Sequence, residues 1–325
     1  MKISHWLFRR VAINRFSVGL VFLAFLLTSS CGDPPLTESG VYAQARALYD
    51  AGDYTGASLG FQNQLSLWPD GEYADDGHYY LGRSYYELND TANARIEFQT
   101  IINDFSGSSY VDNAHFWTGR AFYQDLLYAD AIVWFDAVIA MGGFYVEGSW
   151  YYQGRVYRDM LDYATALARF QYVIANFPAG SYPDNAQYYI GRVYLDQSLF
   201  ATARTELQKV MDLYPDSSYR DNALYYLGVA FEEEALVFQA AANPLTATRF
   251  GEARTAYQNL ITTMPDSSYA DNAQYHIGKT FHAEGNCNSE KAAMQAVVDN
   301  YPNSFYITYA NNHISSINTG GHTCL

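Results

Sequence analysis

Six basic side chains recur at a nearly fixed interval: Arg46, Arg83, Arg120, Arg155, Arg192 and Lys279, with Val229 interrupting the row. A guanidinium is a planar fork of donors that matches a carboxylate, so a row of them is chemistry for holding anionic groups. Four residues before each position of the row from Arg83 onward, Val229 included, stands a ring: Tyr79, Phe116, Tyr151, Tyr188, Tyr225 and Tyr275. Three residues earlier again there is often an amide: Asn113, Asn185, Asn222 and Asn272. At about 100° per residue these positions share one stripe of a helix. Cations, amides and tyrosines, which give large contact area at little entropy cost, would suit an extended peptide or a C-terminal carboxylate. They would also suit a sugar stacked on the rings. A second reading stands beside this one. Arg83 with Glu87, Arg155 with Asp159 and Arg192 with Asp196 are i, i+4 pairs, so the row could simply balance charge on its own helices.

No other constellation points to chemistry. There is no GxSxG, HExxH, phosphate loop or CxxC. His78 and His115 occupy equivalent positions of a repeat, which reads as a structural role. His282, Cys287, His322 and Cys324 match no zinc-ligand spacing. No enzyme, no cofactor and no metal site is expected.

The elements that position the stripe are repeats. MPDSSYADNAQYHIG at 264–278 nearly respells YPDSSYRDNALYYLG at 214–228, and looser copies come earlier. They close on Gly82, Gly119, Gly154, Gly191, Gly228 and Gly278, which lie 37, 35, 37, 37 and 50 residues apart. Within one unit Ala186, Ile190, Val193 and Tyr194 mark one helical face, and Phe200, Ala203, Leu207 and Val210 mark another. Pro215 ends the second helix. Ser109, Ser181, Ser218 and Ser268 each precede an aspartate by three residues, which predicts a capping box at the start of the first helix. A mid-helix glycine costs roughly 1 kcal/mol against alanine, so six of them predict close approach of a neighbouring helix.

With Gly191 as position 8, the set Gly191, Tyr194, Ala203, Leu207, Pro215 resembles the tetratricopeptide repeat (TPR). Gly154, Tyr157, Ala166, Phe170, Pro178 and Ala45, Leu48, Ala57, Phe61, Pro69 repeat it, while Ser106 and Gly143 replace expected prolines. The resemblance covers about 38–317 and implies an all-α superhelical solenoid of about seven helix pairs with a closing helix near 307–317. It also implies that the stripe, opposite the apolar face and therefore expected to be exposed, lines a concave groove that takes a protein partner. An insertion at 232–251 is expected to protrude, as a plain helix extension or as a docking point.

Residues 1–30 read as a signal peptide: Lys2, Arg9, Arg10 and Arg15 precede the apolar run FSVGLVFLAFLL at 16–27. Thr28-Ser29-Ser30-Cys31 resembles a bacterial lipobox, which implies lipidation of Cys31, a tether over 31–37 and, with Gly32 next, the periplasmic face of the outer membrane. Without residues 1–30, 15 Lys+Arg face 34 Asp+Glu. A body that acidic repels nucleic acid and excludes it as a partner. In an oxidising periplasm Cys287 and Cys324 are expected to pair and staple the tail at 318–325 to the last repeat. The chain is similar to two families of periplasmic TPR proteins. One is the lipoprotein subunit of the β-barrel assembly machinery (BamD), which implies a scaffold in outer-membrane protein assembly. The other is the Tol-associated division coordinator (CpoB), and glycan capture of the SusD-like kind is a further alternative.

Overall fold

The computed structural model describes residues 36–320. Residues 1–35 and 321–325 lie outside it, so the signal peptide, Cys31, His322 and Cys324 do too. Among the described residues there are fifteen α-helices and no strand. They form seven hairpins and a closing helix. The pairs are α1 (Glu38–Asp50) with α2 (Tyr54–Leu67), α3 (Ala74–Glu87) with α4 (Thr91–Asp104), and α5 (Val111–Gln124) with α6 (Tyr128–Met141). Next come α7 (Val146–Asp159) with α8 (Tyr163–Asn176) and α9 (Pro183–Asp196) with α10 (Phe200–Leu213). Then follow α11 (Arg220–Ala240) with α12 (Thr246–Thr263), α13 (Ala270–Ala283) with α14 (Cys287–Asn300), and α15 (Ile307–Asn318). Each helix packs chiefly on its sequence neighbours, as in a solenoid. No described helix is long and apolar enough to cross a membrane.

The hairpin interior is built from a small residue and a large one. Ala57, Ala94, Ala131, Ala166, Ala203 and Ala253 are all fully buried on the second helices. One turn later come Phe61, Phe98, Phe135, Phe170, Leu207 and Tyr257, at most 1% exposed. The glycines answer to that second set. A Cβ on Gly82, Gly119, Gly154, Gly191, Gly228 or Gly278 would sit 2.5–2.8 Å from the large side chain opposite, for example 2.5 Å from the Phe170 ring at Gly154. The close approach is within the hairpin rather than between repeats.

The turn inside each hairpin holds one residue in the left-handed region. Gly52 and Gly285 suit it, while Asn89, Leu126, Leu161, Ser198 and Ala242 adopt it as well. Four of the second helices are capped by an acid or amide side chain, as at Asp53, Asp90, Asp162 and Asn286. The first helices are not capped as expected. Their cap residues are Tyr110, Tyr182, Tyr219 and Tyr269, with no side-chain cap bond. The predicted capping boxes at Ser109, Ser181, Ser218 and Ser268 do not form, because those serines lie one residue outside the cap.

The insertion lengthens one hairpin. α11 has 21 residues and α12 has 18, against 14 in most others. Its tip carries exposed Leu236, Val237 and Leu245. Gln239 Nε2 donates to the Ala283 carbonyl at 2.6 Å, which ties the extension to the last hairpin.

Candidate functional site

The stripe of cations, rings and amides comes together along the first helices, but not as an open surface. Tyr79, Phe116, Tyr151, Tyr188 and Tyr225 are only 5%, 1%, 1%, 3% and 8% exposed, and Tyr275 is half-buried. The expectation that these rings are exposed is wrong for a physical reason: the next repeat covers them. The last tyrosine of the linker stacks on the ring behind it in most repeats and lies tilted against it at Tyr219. Tyr110 lies 4.4 Å from Tyr79, Tyr145 4.6 Å from Phe116, Tyr182 4.7 Å from Tyr151, and Tyr306 4.4 Å from Tyr275. Burial pushes the Tyr182 hydroxyl up to about 12. Two of the amides serve the same linker rings. Asn113 donates to the Tyr145 hydroxyl at 3.2 Å and Asn222 to the Tyr269 hydroxyl at 2.9 Å. Asn185 and Asn272 hold the equivalent half-buried places.

The arginines do something that neither reading of the sequence foresaw. Each lies over an aromatic ring of the following repeat, two residues before its closing glycine. Arg46 sits 4.0 Å from the Tyr80 centroid, Arg83 3.5 Å from Trp117, Arg120 4.8 Å from Tyr152, Arg155 5.3 Å from Tyr189 and Arg192 3.7 Å from Tyr226. The row is a cation–π staircase joining repeat to repeat, each step worth about 0.5–2 kcal/mol. Charge balance along the helix is only partial. Arg46 pairs with Asp50 at 2.9 Å and Arg83 with Glu87 at 3.6 Å. Asp159 instead accepts from the Tyr123 hydroxyl at 2.5 Å, and Asp196 from Arg158 Nε at 2.6 Å. Arg120 and Arg155 have no carboxylate within ion-pairing distance among the described residues, and the Nε of each is buried without a hydrogen-bond acceptor.

At Val229 the staircase stops, and a buried polar knot replaces it. Glu232 Oε2 accepts from the Tyr257 hydroxyl at 2.7 Å and meets His276 Nδ1 at 2.7 Å. Lys279 Nζ lies 3.6 Å from Glu232 Oε1, and Tyr225 reaches His276 Nε2 at 3.1 Å. Burial would raise the Glu232 carboxyl, but His276, Tyr257 and Lys279 outweigh it and hold the group below its usual range.

Three acids that the sequence presented as caps, Asp184, Asp221 and Asp271, have another task, which Asp75 shares. Ser108 donates to Asp75 at 2.6 Å, Ser217 to Asp184 at 2.6 Å, Ser267 to Asp221 at 2.8 Å, and Ser304 to Asp271 at 2.7 Å. Each acid opens a first helix, and each serine belongs to the linker of the next repeat. The same serine oxygen accepts the backbone N–H of the stacking tyrosine, at 2.9 Å for Tyr219. Where the acid is glutamate the linker has glycine. Glu147 takes the N–H groups of Ser181 and Tyr182 at 3.1 and 2.7 Å, and a Cβ on Gly180 would collide with its carboxylate at 2.2 Å. Glu38 does the same for Glu72 and Tyr73 beside Gly71. The recurring P-D-S-S-Y spelling is thus a clasp between repeats. The clue in the sequence was the pairing of Asp with linker Ser and of Glu with linker Gly, broken only where Asp112 faces Gly143.

His78 meets Glu97 at 2.7 Å and His115 the Val111 carbonyl at 2.9 Å, both structural contacts. Cys287 is buried and disulfide-bonded. Cys324, the partner expected for it, lies outside the described residues.

The sequence profile of the YfiO outer membrane lipoproteins matches residues 34–190 and again 144–282. The chain belongs to this family. A tetratricopeptide-repeat profile matches 272–304 in addition. No curated protein matches the sequence significantly. Among solved structures, the C-terminal part of a TPR repeat-containing protein from Cytophaga hutchinsonii is similar at 15% identity and a TM-score of 0.56, over 84% of this chain and 99% of that one. A tetratricopeptide repeat protein from Parabacteroides merdae is similar at 10% identity and a TM-score of 0.54, over 86% and 98%. These likenesses show the fold: a TPR solenoid, as the repeat pattern predicts. The two matches overlap and together span most of the array.

Proposed function

We propose that the chain is a lipid-anchored scaffold on the periplasmic face of the outer membrane that grips an acidic, extended protein segment along its first helices. The observation that carries this reading is the pair Arg120 and Arg155. They are two half-buried cations in consecutive repeats, over rings and without carboxylate partners among the described residues, a state that Arg192 in the next repeat shares, in a chain of net charge −15. A cation already stripped of much of its water gains more from a carboxylate than an exposed one does. Membership in an outer membrane lipoprotein family supports the location, and Cys31 of the lipobox-like stretch is the residue proposed for acylation. It also supports a role in outer-membrane protein assembly ahead of a Tol-associated one. Glycan capture loses ground, because the rings a sugar would stack on are buried. The proposed activity is binding.

Crosslinking and pull-down from native membranes test the proposal. Wild-type protein is expected to recover assembly-machinery components or their substrates. Arg120→Gln with Arg155→Gln should lose them while keeping the helical circular dichroism of the wild type. Capture that survives in the double variant moves the contact to the 232–251 extension.

A further inference from the structure

We infer that the last repeat holds a divalent transition-metal ion, zinc by the chemistry of its ligands, between His282, Glu290 and His313. The three side chains come from α13, α14 and α15, and one ligand atom of each lies within 4.8 Å of the others. His282 Nδ1 is 3.2 Å from Glu290 Oε2, and His313 Nδ1 is 2.5 Å from Glu290 Oε1. The two imidazoles meet edge to face at 5.1 Å, and each turns its Nδ1 toward the one carboxylate. Two imidazoles and a carboxylate are a ligand set that zinc takes, with a fourth position left for water or a further side chain. Tetrahedral zinc with bonds of about 2.0–2.2 Å separates its ligand atoms by roughly 3.3–3.5 Å. The His282 contact is close to that length, and the two histidines approach opposite oxygens of the one carboxylate. The His313 contact opens by about an ångström when the ion replaces the proton between the two groups.

The repeat itself supplies the independent argument. Glu290 occupies the place held by alanine in all six earlier hairpins, and its side chain has no exposed surface. His313 stands where the earlier repeats carry the ring that receives an arginine, such as Tyr152 or Tyr189. His282 stands where Tyr86 and Tyr123 stand. Glu290 is thus a departure from every earlier hairpin, His313 shares its place with His276 alone, and the place of His282 varies along the array; the three converge on one point. A fully buried carboxylate in place of a methyl group is costly unless a cation or several donors compensate it. Cys287 is not among the ligands, because its sulfur is committed to a disulfide.

The test uses untagged full-length protein, purified in detergent and stripped with a chelator. Titration with cobalt(II) is expected to saturate at one equivalent, with the intense visible absorption of a four-coordinate ion, and zinc should displace it. Glu290→Ala restores the residue of the other repeats and His313→Tyr restores their ring, so both variants should fold, and both should lose the absorption. Zinc should raise the thermal midpoint of the wild type and not of the variants. Stripped wild type that takes up no more cobalt than Glu290→Ala in equilibrium dialysis would overturn the inference and leave Glu290 as a carboxylate held by hydrogen bonds alone. One equivalent retained by both variants would overturn it too, by placing the ion elsewhere.

Discussion

The junctions between the first repeats and those at the C-terminal end are built on the same backbone with opposite chemistry. From Arg46 to Arg192 each junction stacks a cation on a ring, and the hairpin interior beneath is alanine against a large apolar side chain. Beyond Val229 the receiving rings become His276 and His313, and buried acids appear at Glu232 and Glu290. The comparison separates two meanings of a repeated residue. What recurs in every unit is the material that joins units, since each repeat can bury its faces only against its neighbours. What departs from the unit is free to carry something else. The basic row, which looks like a binding ladder when one helix is read alone, belongs mainly to the first kind, while Arg120, Arg155 and Arg192 in its middle have no carboxylate within ion-pairing distance among the described residues.

The sharpest way to break this comparison is to move a departure into the regular region. Ala166→Glu would place in the middle of the array the carboxylate that Glu290 places at its end. Ala166 is fully buried beside Phe170 with no histidine opposite. The substitution is expected to cost about 3–5 kcal/mol, the penalty of an uncompensated buried charge, read as a collapse of the urea midpoint. Tolerance comparable to that of native Glu290 would mean that the two regions do not differ as described.

A smaller effect is expected from Gly191→Leu. Even a Cβ at Gly191 would lie 2.6 Å from the Leu207 side chain. Overpacking there should cost roughly 1–3 kcal/mol in a chemical denaturation curve, without changing the helices of distant repeats. A neutral result would show that the hairpin can open, and that the glycine row has another cause.

The two regions should also part company with pH. Burial pushes the Tyr42 and Tyr182 hydroxyls up to about 12. An acid raised in the folded state stabilises below its unfolded value and loses that contribution as pH rises through the folded one. The stacked junctions should therefore weaken from about pH 10 upward. Glu232 is held below its usual range by His276, Tyr257 and Lys279 against the opposing pull of burial. Its contribution is complete above the ordinary carboxylate range and is lost as pH falls through that range and below it. Hydrogen exchange resolved by segment should show α11–α13 loosening first in acid and the N-terminal junctions sharing in the alkaline loss. Uniform loosening at both extremes would contradict the division.

Much of the architecture was legible. The glycine spacing, the alanine and phenylalanine rows and the prolines place the hairpins and the closing helix, because these residues act within one unit. The misread features all act between units. The periodicity of one helix puts Tyr151 opposite its own apolar face, yet says nothing of the Tyr182 ring that arrives from the next linker. The same blindness made interrepeat acids look like caps, and it hid Glu290, whose oddity shows only when the second helices are aligned on their alanine.

The smallest effect discriminates best between those readings of the linker. Ser217 donates to Asp184 and receives the Tyr219 N–H, whereas Ser218 is exposed and makes no cap. Removing the Ser217 hydroxyl takes two hydrogen bonds from the clasp and leaves a half-buried Asp184 carboxylate with fewer donors. Ser217→Ala should cost about 1–2 kcal/mol, and Ser218→Ala close to nothing. Because the bond joins neighbouring units, the loss should lower the cooperativity of unfolding as well as its midpoint. The reverse order of the two serines would restore the capping box and remove the clasp.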